Sequence, residues 1–463
     1  MGNIDPAGLV AFRVLYGLLG AFGAVRFVAN GWVERFFGEP TFFFRFWGFD
    51  WVPVPSVPVI YALFAIMAVT GIAVALGYRY RLALGLHLVA FLWVEFIDVT
   101  NYLNHYHFWM LLGVIALVLP LHRHASLDVR HGRVTALARF PLRWARALQL
   151  QVALVYIFAG LAKANGDWLI HAQPLNIWLS ARQDFPLIGP LFGHPEVALA
   201  LSWAGFLHDL LVPFFLFWQR TRAFAFAALC AFHLTTHLLF DIGLFPVIMT
   251  LAATTFLAPD WPRRLLALAR RLARRHAITS TTEHNDPQAI YTRPIPRPLL
   301  VLTVLFFVIQ VATPLRAHLY PGDVNWHEQG MRWSWRVMVR EKNGSVLYRV
   351  TLPARPHELH IPPSRYLTSH QEREMSGQPD LILQLAHHLR DDLLAEGHPN
   401  VEVRVDALAS LNGRPSERLI DPQADLAAIS DSLAAAAWIL PRSDRPPIRL
   451  TSPGLPLSQG TIP

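Results

Sequence analysis

The sequence predicts a polytopic α-helical membrane bundle of about nine transmembrane helices, followed by an extracytoplasmic α+β, β-rich domain. Three observations predict it. Of 463 residues, 53% are hydrophobic and 16% charged, against roughly 25% charged in an ordinary soluble domain. Arginines gather in alternate connections between long apolar stretches. After residue 314 those stretches stop and short alternating runs replace them. This composition argues against a soluble enzyme, a disordered chain and a coiled coil. A single cysteine excludes a disulfide framework, CxxC redox chemistry and a cysteine-based zinc site. The net charge of +8 sits mainly in arginine-bearing connections, which suits cytoplasmic loops and not nucleic acid.

In chain order, the apolar stretches fall near 8–29, 58–77, 82–97, 106–120, 148–163, 197–218, 223–240, 242–258 and 298–314. Some are short against the roughly 20 residues that cross a bilayer. The first holds Arg13 and Arg26 and has no clear small-residue cleavage site, so no cleavable signal peptide is expected. Arg79 and Arg81, the group from Arg123 to Arg146, Arg220 and Arg222, and the group from Arg263 to Arg297 occupy alternate connections. The positive-inside rule puts all of these, and the N-terminus, in the cytoplasm. The opposite connections, 30–57, 98–105, 164–196 and a tight turn near 241, face outward and are rich in aromatic residues, as an interfacial belt is. Residues 1–314 thus read as the membrane domain and 315–441 as the outer domain. Residues 442–463, rich in Pro and Ser, read as a disordered tail. Within the outer domain, 333–339, 346–351 and 401–405 alternate like strands. Residues 379–395 set Leu381, Leu385, Leu389 and Leu393 at helical spacing. There is no internal repeat, no heptad pattern and no phosphate-binding glycine loop.

Ionisable residues inside spans are costly and are functional candidates by default. Here they converge on one layer near the outer face. Asp98, Asn104, His105 and His107 lie at the junction of the third and fourth stretches, and Lys163 ends the fifth. His233, His237 and Asp241 end the seventh, and His208 and Asp209 lie within the sixth. Of 40 Lys+Arg residues, only Lys163 and Lys342 are lysines. A snorkelling cation is one reading of Lys163, but any cation serves that role and this chain nearly always uses arginine. Burial can turn a lysine, unlike an arginine, into a neutral amine base, so a catalytic or ligand-binding role is the favoured reading. His233 and His237 stand at i, i+4, a metal-ligand spacing, yet Leu234 occupies the place of the glutamate in H-E-x-x-H. A metal site is the weakest reading of this pair, beside packing histidines bonded across the bundle and the polar wall of a substrate pocket. Asp98 either caps its turn locally or belongs to the site. The His122/His124 and His387/His388 pairs read as solvated.

Five windows then carry a resemblance: FIDVTNYLNHYHF (96–108), VYIFAGLAKANGDWL (155–169), AFHLTTHLLFDIGLFPVIM (231–249), MRWSWRVMV (331–339) and LNGRPSERLIDPQADL (411–426). In them the chain resembles the vitamin K-dependent gamma-carboxylases and their bacterial relatives, the horizontally transferred transmembrane (HTTM) group. The last two windows lie in the outer domain, so the resemblance is to a full carboxylase and not to an isolated membrane module. It implies oxidation of reduced vitamin K by O2 coupled to addition of CO2 at the γ-carbon of glutamyl residues. It implies that Lys163 and His105 are the catalytic residues and that Asp98 and His233 belong to the site. Asn104, His237, Asp241 and Trp168 share that layer and are expected to line the substrate and quinone site. The implied cofactor is a hydroquinone of the phylloquinol or menaquinol type, with CO2 and O2 as co-substrates and no metal. The implied partners are a glutamyl-containing protein or peptide, an isoprenoid quinol and the lipid bilayer, with no nucleic acid. The chain lacks the cysteines and the longer C-terminal region of vertebrate members, so disulfides and an extended propeptide-recognition surface are not implied.

The chemistry is consistent with the placement. A glutamate γ-proton is too weakly acidic for any side-chain base, so a stronger base has to be generated where water cannot quench it. An isoprenoid quinol enters from lipid and a peptide from outside, which calls for a site within the bundle near its outer face. Two other readings remain open at this level. One is a quinol-oxidising or epoxidising membrane enzyme with another acceptor, and the other is a non-enzymatic membrane assembly or transport protein.

Overall fold

A computed structural model describes residues 2–273, 291, 294–353, 356–448 and 450. Helices form at all nine expected stretches: α1 (Ala7–Ala29), α2 (Val57–Leu76), α3 (Tyr80–Glu95), α4 (Asn104–Val118), α5 (Leu142–Lys163), α6 (Pro195–Phe217), α7 (Arg222–Leu239), α8 (Phe245–Ala253) and α10 (Arg297–Leu315). Among the described residues, however, only six are long and apolar enough to cross a membrane: α1, α2, α5, α6, α7 and α10 with its continuation to Leu319. The expected count of nine spans is not confirmed: α3, with 16 residues, α4 and α8 fall short of that length. The 15 residues of α4 rise only about 22 Å at 1.5 Å each, against a hydrocarbon core of about 30 Å. The 9 residues of α8 rise less still. Apolar sequence marks burial in the bundle as readily as a full crossing.

Local sequence explains the ends and the packing. Proline in the first turn opens α2, α6, α8 and α10, where a missing N–H costs nothing. Gly77 closes α2 in the left-handed conformation at φ 64°. Arg13, buried within α1, donates to the carbonyls of Ala75, Leu121, His124 and Ala125. A cation inside the first span is thereby met by four backbone carbonyls, one near the end of α2 and three in the loop after α4. A Cβ on Gly160 of α5 would stand 2.8 Å from the backbone nitrogen of Leu210 in α6. The bare glycine lets these two helices meet backbone to backbone, one turn before Lys163.

The connection after α8 contains an element the periodicity reading passes over. Trp261–Ala273 is a helix, α9, with Arg263, Arg264, Arg270 and Arg271 interleaved with exposed Leu265, Leu266, Leu268 and Leu272. Arg263 pairs with Asp5 at the start of α1, 3.2 Å away. Arg274, Arg275 and Arg293 of the same expected loop lie outside the described residues.

The C-terminal domain is a four-stranded antiparallel sheet, β1 (Lys342–Thr351), β2 (Leu359–Ile361), β3 (Glu402–Leu411) and β4 (Glu417–Arg418), in the order β2-β1-β3-β4. A short helix, α11 (Ser369–Ser376), precedes the helix α12 (Pro379–Ala395). Tyr348 pairs with Val405 and Val350 with Val403, which places one hydrophobic face on α12. Leu381, Leu385, Leu389 and Leu393 make the buried stripe of α12. Two of the three expected strands form, and the third does not. Residues 333–339 wind through a loop in which Trp333, Trp335 and Met338 take positive φ. Its alternation follows burial of another kind, since Trp335 is packed into the core of the helical bundle. Of the tail expected to be disordered, 451–463 lies outside the described residues. Its first part is held: Gln173 donates to the carbonyl of Ile448 at 2.9 Å, and the Leu450 N–H donates to Asn176 at 3.0 Å.

Candidate active site

Lys163 ends α5 with its side chain buried. Its ammonium donates to Asp209 Oδ2 at 2.8 Å, to the Ala159 carbonyl at 3.2 Å and to the Val337 carbonyl at 3.4 Å. Three hydrogens meet three acceptors, from α5, α6 and the 333–339 loop. His208 Nδ1 sits 3.1 Å from the other oxygen of Asp209. Two turns back along the same face of α5, Tyr156 and His233 Nε2 of α7 share a 2.6 Å hydrogen bond. Asn165 caps the next short helical turn by accepting from the Trp168 N–H. That turn sets the Trp168 ring under Lys163, 5.3 Å from ammonium to centroid, with the indole N–H bonded to the Ser202 carbonyl at 2.7 Å.

All of these residues except Asn165 and Ser202 border one cavity of about 300 Å³. Its walls are mostly apolar, including Leu201, Phe232, Phe240, Phe245 and Met249, and Val337 and Met338 close it from the C-terminal domain. Apolar walls around one ion pair make a site where charge is held by few groups and bulk water is scarce. The arrangement can bind a flat apolar ring and move a proton beside it. Proton transfer along the Lys163–Asp209 bond leaves a neutral amine and a neutral acid and brings no net charge into the cavity.

Residues 2–261 match the HTTM domain, and residues 296–445 match the lumenal domain of vitamin K-dependent gamma-carboxylase. The chain belongs to the vitamin K-dependent gamma-carboxylase family. It carries that family's two parts in order, a membrane-integral helical domain and the domain that lies outside the cytoplasm. No solved structure matches it.

The carboxylase fold brings some of the expected residues together and separates others. Lys163, His233 and Trp168 line the cavity. His105, in the first turn of α4, is buried one ring away. Phe245 contacts it at 5.9 Å and contacts His233 at 5.8 Å on its other side. Asn104 accepts from the Tyr102 hydroxyl at 2.9 Å and lines a neighbouring polar chamber of about 220 Å³. That chamber also holds Arg332, Arg336, Arg340 and Glu374, and Met338 borders both it and the Lys163 cavity. Asp98 does not reach the cavity. It accepts from the Thr100 N–H at 2.9 Å, the Thr100 hydroxyl at 2.8 Å and the Gln371 amide at 2.7 Å, which ties the α3–α4 turn to the C-terminal domain. Burial pushes its carboxyl up to about 6 against those bonds. His237 and Asp241 are exposed and are not part of the cavity wall. Phe232, His233, Thr235, Thr236 and Leu239 make the inward face of α7; His233 stands at its edge, and His237, about 40° further round at 3.6 residues per turn, falls outside it.

Tyr156, Asp209, Val337 and Met338 are the site residues that sequence reading leaves without a role. Tyr156 carries a detectable signal, being seven residues and so two helical turns before Lys163. Asp209 stands out as an acid within an apolar stretch. The Val337 carbonyl has no signal at all, since any residue supplies one. Among the described residues, no group of three or more His, Cys, Asp or Glu side chains is arranged to hold a metal ion.

Proposed function

We propose that the protein is a vitamin K hydroquinone-dependent glutamyl carboxylase, coupling quinol epoxidation by O2 to CO2 addition, with its site toward the extracytoplasmic side and its N-terminus in the cytoplasm. The observation that carries this reading is the buried Lys163–Asp209 pair at the wall of an apolar cavity sized for a quinol ring. The fit is chemical as well as steric: Trp168, Phe232, Phe240 and Phe245 offer ring faces, and among the described residues the lysine is the one strong cation on the wall. Bound there, the hydroquinone would supply, with O2, the strong base that a glutamate γ-carbon requires.

The chain's own groups have separable tasks. Lys163 receives a proton from the quinol hydroxyl once its own has moved to Asp209. His208 holds Asp209 in line for that exchange through the 3.1 Å contact. The Tyr156–His233 bond gives the cavity a fixed polar edge that can orient a ring oxygen. Val337 and Met338 shut the cavity against water from the outer domain, so the base is spent on substrate. The polar chamber beyond Met338 suits the carboxylate of a glutamyl side chain, because Arg336 lines it and makes no hydrogen bond or ion pair of its own among the described residues. His105 is assigned a supporting catalytic role, stabilising charge from behind Phe245.

Incubation with reduced vitamin K, labelled CO2 and a Glu-rich peptide tests the reading, scored for both epoxide and carboxylated peptide. Both products are expected in step. Epoxide without carboxylated peptide would favour a quinol-oxidising enzyme with another acceptor, and neither product would overturn the enzymatic reading.

A further inference from the structure

A second cavity lies across α8 from the Lys163 site. It measures about 70 Å³ and is walled by α1, α2, α3, α4 and α8. A buried water needs roughly 10–15 Å³ of such space, so this cavity has room for several waters and is too small for a quinol or a peptide. Its wall is apolar except for a few groups, and the exceptions are unusual. Arg26 of α1, Glu95 at the end of α3 and Tyr106 of α4 all border it. Among the described residues, none of the three makes a hydrogen bond or an ion pair through its side chain. Arg26 stacks on Trp32, 4.6 Å from the ring, and otherwise acts on His105 and Tyr106 through its charge alone. Among the described residues His105, adjacent to Tyr106 with ring centroids 4.6 Å apart, makes no side-chain hydrogen bond either. Unpaired ionisable groups inside a membrane domain are expensive unless water or a mobile proton satisfies them.

The carboxylase reading, on which this inference rests, creates a need that the main cavity does not meet. Replacing a γ C–H bond by a carboxylate follows R–H + CO2 → R–COO⁻ + H⁺, so one proton is left over at each turnover in a site built to exclude water. We propose that Arg26, Glu95, Tyr106 and His105 form a hydrated proton-exit pocket, with Glu95 as the acceptor. The proton freed in the Lys163 cavity passes round Phe245 and forms an N–H on the neutral His105 imidazole; that N–H then breaks, a water carries the proton past the Tyr106 hydroxyl, and an O–H forms on the Glu95 carboxylate. Glu95 then releases the proton toward Tyr102, which borders the polar outer chamber. Phe245, in contact with His105 on one side and His233 on the other, is the partition between this pocket and the Lys163 cavity.

The surroundings of Glu95 are defined on every side. Arg26 comes from α1, His87 from α3 itself, Tyr106 from α4 and Tyr102 from the turn, while α2 and α8 contribute only apolar side chains such as Phe64, Met67, Leu244 and Ile248. His87 is already engaged through Nδ1 with Thr70 and the Met67 carbonyl. Arg26 borders the same pocket without locking Glu95 in an ion pair, which leaves the carboxyl free to accept and then release a proton.

The test uses the full-length protein in lipid nanodiscs, with and without quinol. Without quinol, infrared difference spectra across pH should show a carboxyl band that titrates, shifts in D2O and is missing in Glu95→Gln. With quinol, CO2 and a Glu-rich peptide, Glu95→Gln should lower the carboxylation kcat by about tenfold or more. The KM for quinol should not move, the pH profile should change, and Glu95→Asp should recover much of the rate. If Glu95→Gln does not fold, Tyr106→Phe replaces it, since it removes only a hydroxyl. Wild-type kcat and pH profile in the folded variant, or no titrating and exchanging band from Glu95, overturns the proposal. A wild-type protein that carboxylates nothing overturns the carboxylase reading instead, and the infrared titration still decides whether the pocket takes up protons.

Discussion

Lys163→Arg separates a proton-transfer role from a structural one. The wild-type ammonium fills three acceptors, Asp209, Ala159 and Val337, within 3.4 Å. Arginine keeps the charge opposite Asp209, so the ion pair survives in sign if not in shape. It cannot supply a neutral amine, because a guanidinium stays protonated. A structural lysine therefore predicts near-normal activity, and a proton-accepting lysine predicts loss of both epoxide and carboxylated product, by a factor on the order of 10²–10⁴. Folding is controlled by a second pair of variants. Lys163→Met strands the Asp209 carboxylate, whose side chain is only 8% exposed. Breaking a buried pair in this way costs about 3–5 kcal/mol. Adding Asp209→Asn removes the stranded charge and should return most of that stability, with no return of activity. The measurements are thermal unfolding in detergent and chromatographic assay of epoxide and labelled peptide at matched expression. Wild-type epoxide yield from Lys163→Arg would refute the assignment of Lys163 as the base. Equal stability of Lys163→Met and the double variant would refute the claim that the pair is desolvated.

Three further expectations follow from other parts of the molecule. Gly160→Val should lower both melting temperature and activity, because a Cβ there stands 2.8 Å from the Leu210 nitrogen and would wedge α5 from α6, parting Lys163 from Asp209; unchanged activity would show that the close crossing is not needed. Burial pushes the Asp167 carboxyl up, but Arg414 at 2.7 and 2.5 Å and Asn412 at 2.9 Å outweigh it and hold the carboxyl below the usual range. Its stabilisation is therefore complete above the unfolded value of about 3.9 and is lost as pH falls through the lower folded value. Asp167→Asn should flatten the acid limb of a pH–melting curve, and an unchanged limb would discount this clamp. Reporter fusions at Arg133 and Arg271 should read cytoplasmic and a fusion after Asp421 extracytoplasmic; the reverse pattern would invert the proposed orientation.

The sequence by itself determined the class of the protein, because bilayer and core both select for apolar residues and that selection survives in composition. It also determined where the nine apolar helices lie, the α12 stripe of leucines, and the rarity of lysine, only Lys163 and Lys342, in a chain that otherwise uses arginine. Period and composition are local properties, and these features are local. The number of full crossings was not legible, since α4 and α8 are as apolar as spans but too short to be spans. Nor was the division among the candidate polar residues. Asp98, His105, His233 and His237 sit at one depth by sequence, yet depth is one coordinate and the site needs three. Rotation about α7 turns His233 inward and leaves His237 exposed. The cross-chain bond to Gln371, 273 residues away, makes Asp98 a clamp. Phe245 separates His105 from the cavity that holds Lys163. The loop 333–339 is the sharpest case. Its alternation reads as a strand, but Trp335 is drawn into the helical core and Val337 offers a backbone carbonyl to Lys163. Only the docking of one domain on the other decides that, because a carbonyl is common to every residue and carries no trace in the sequence.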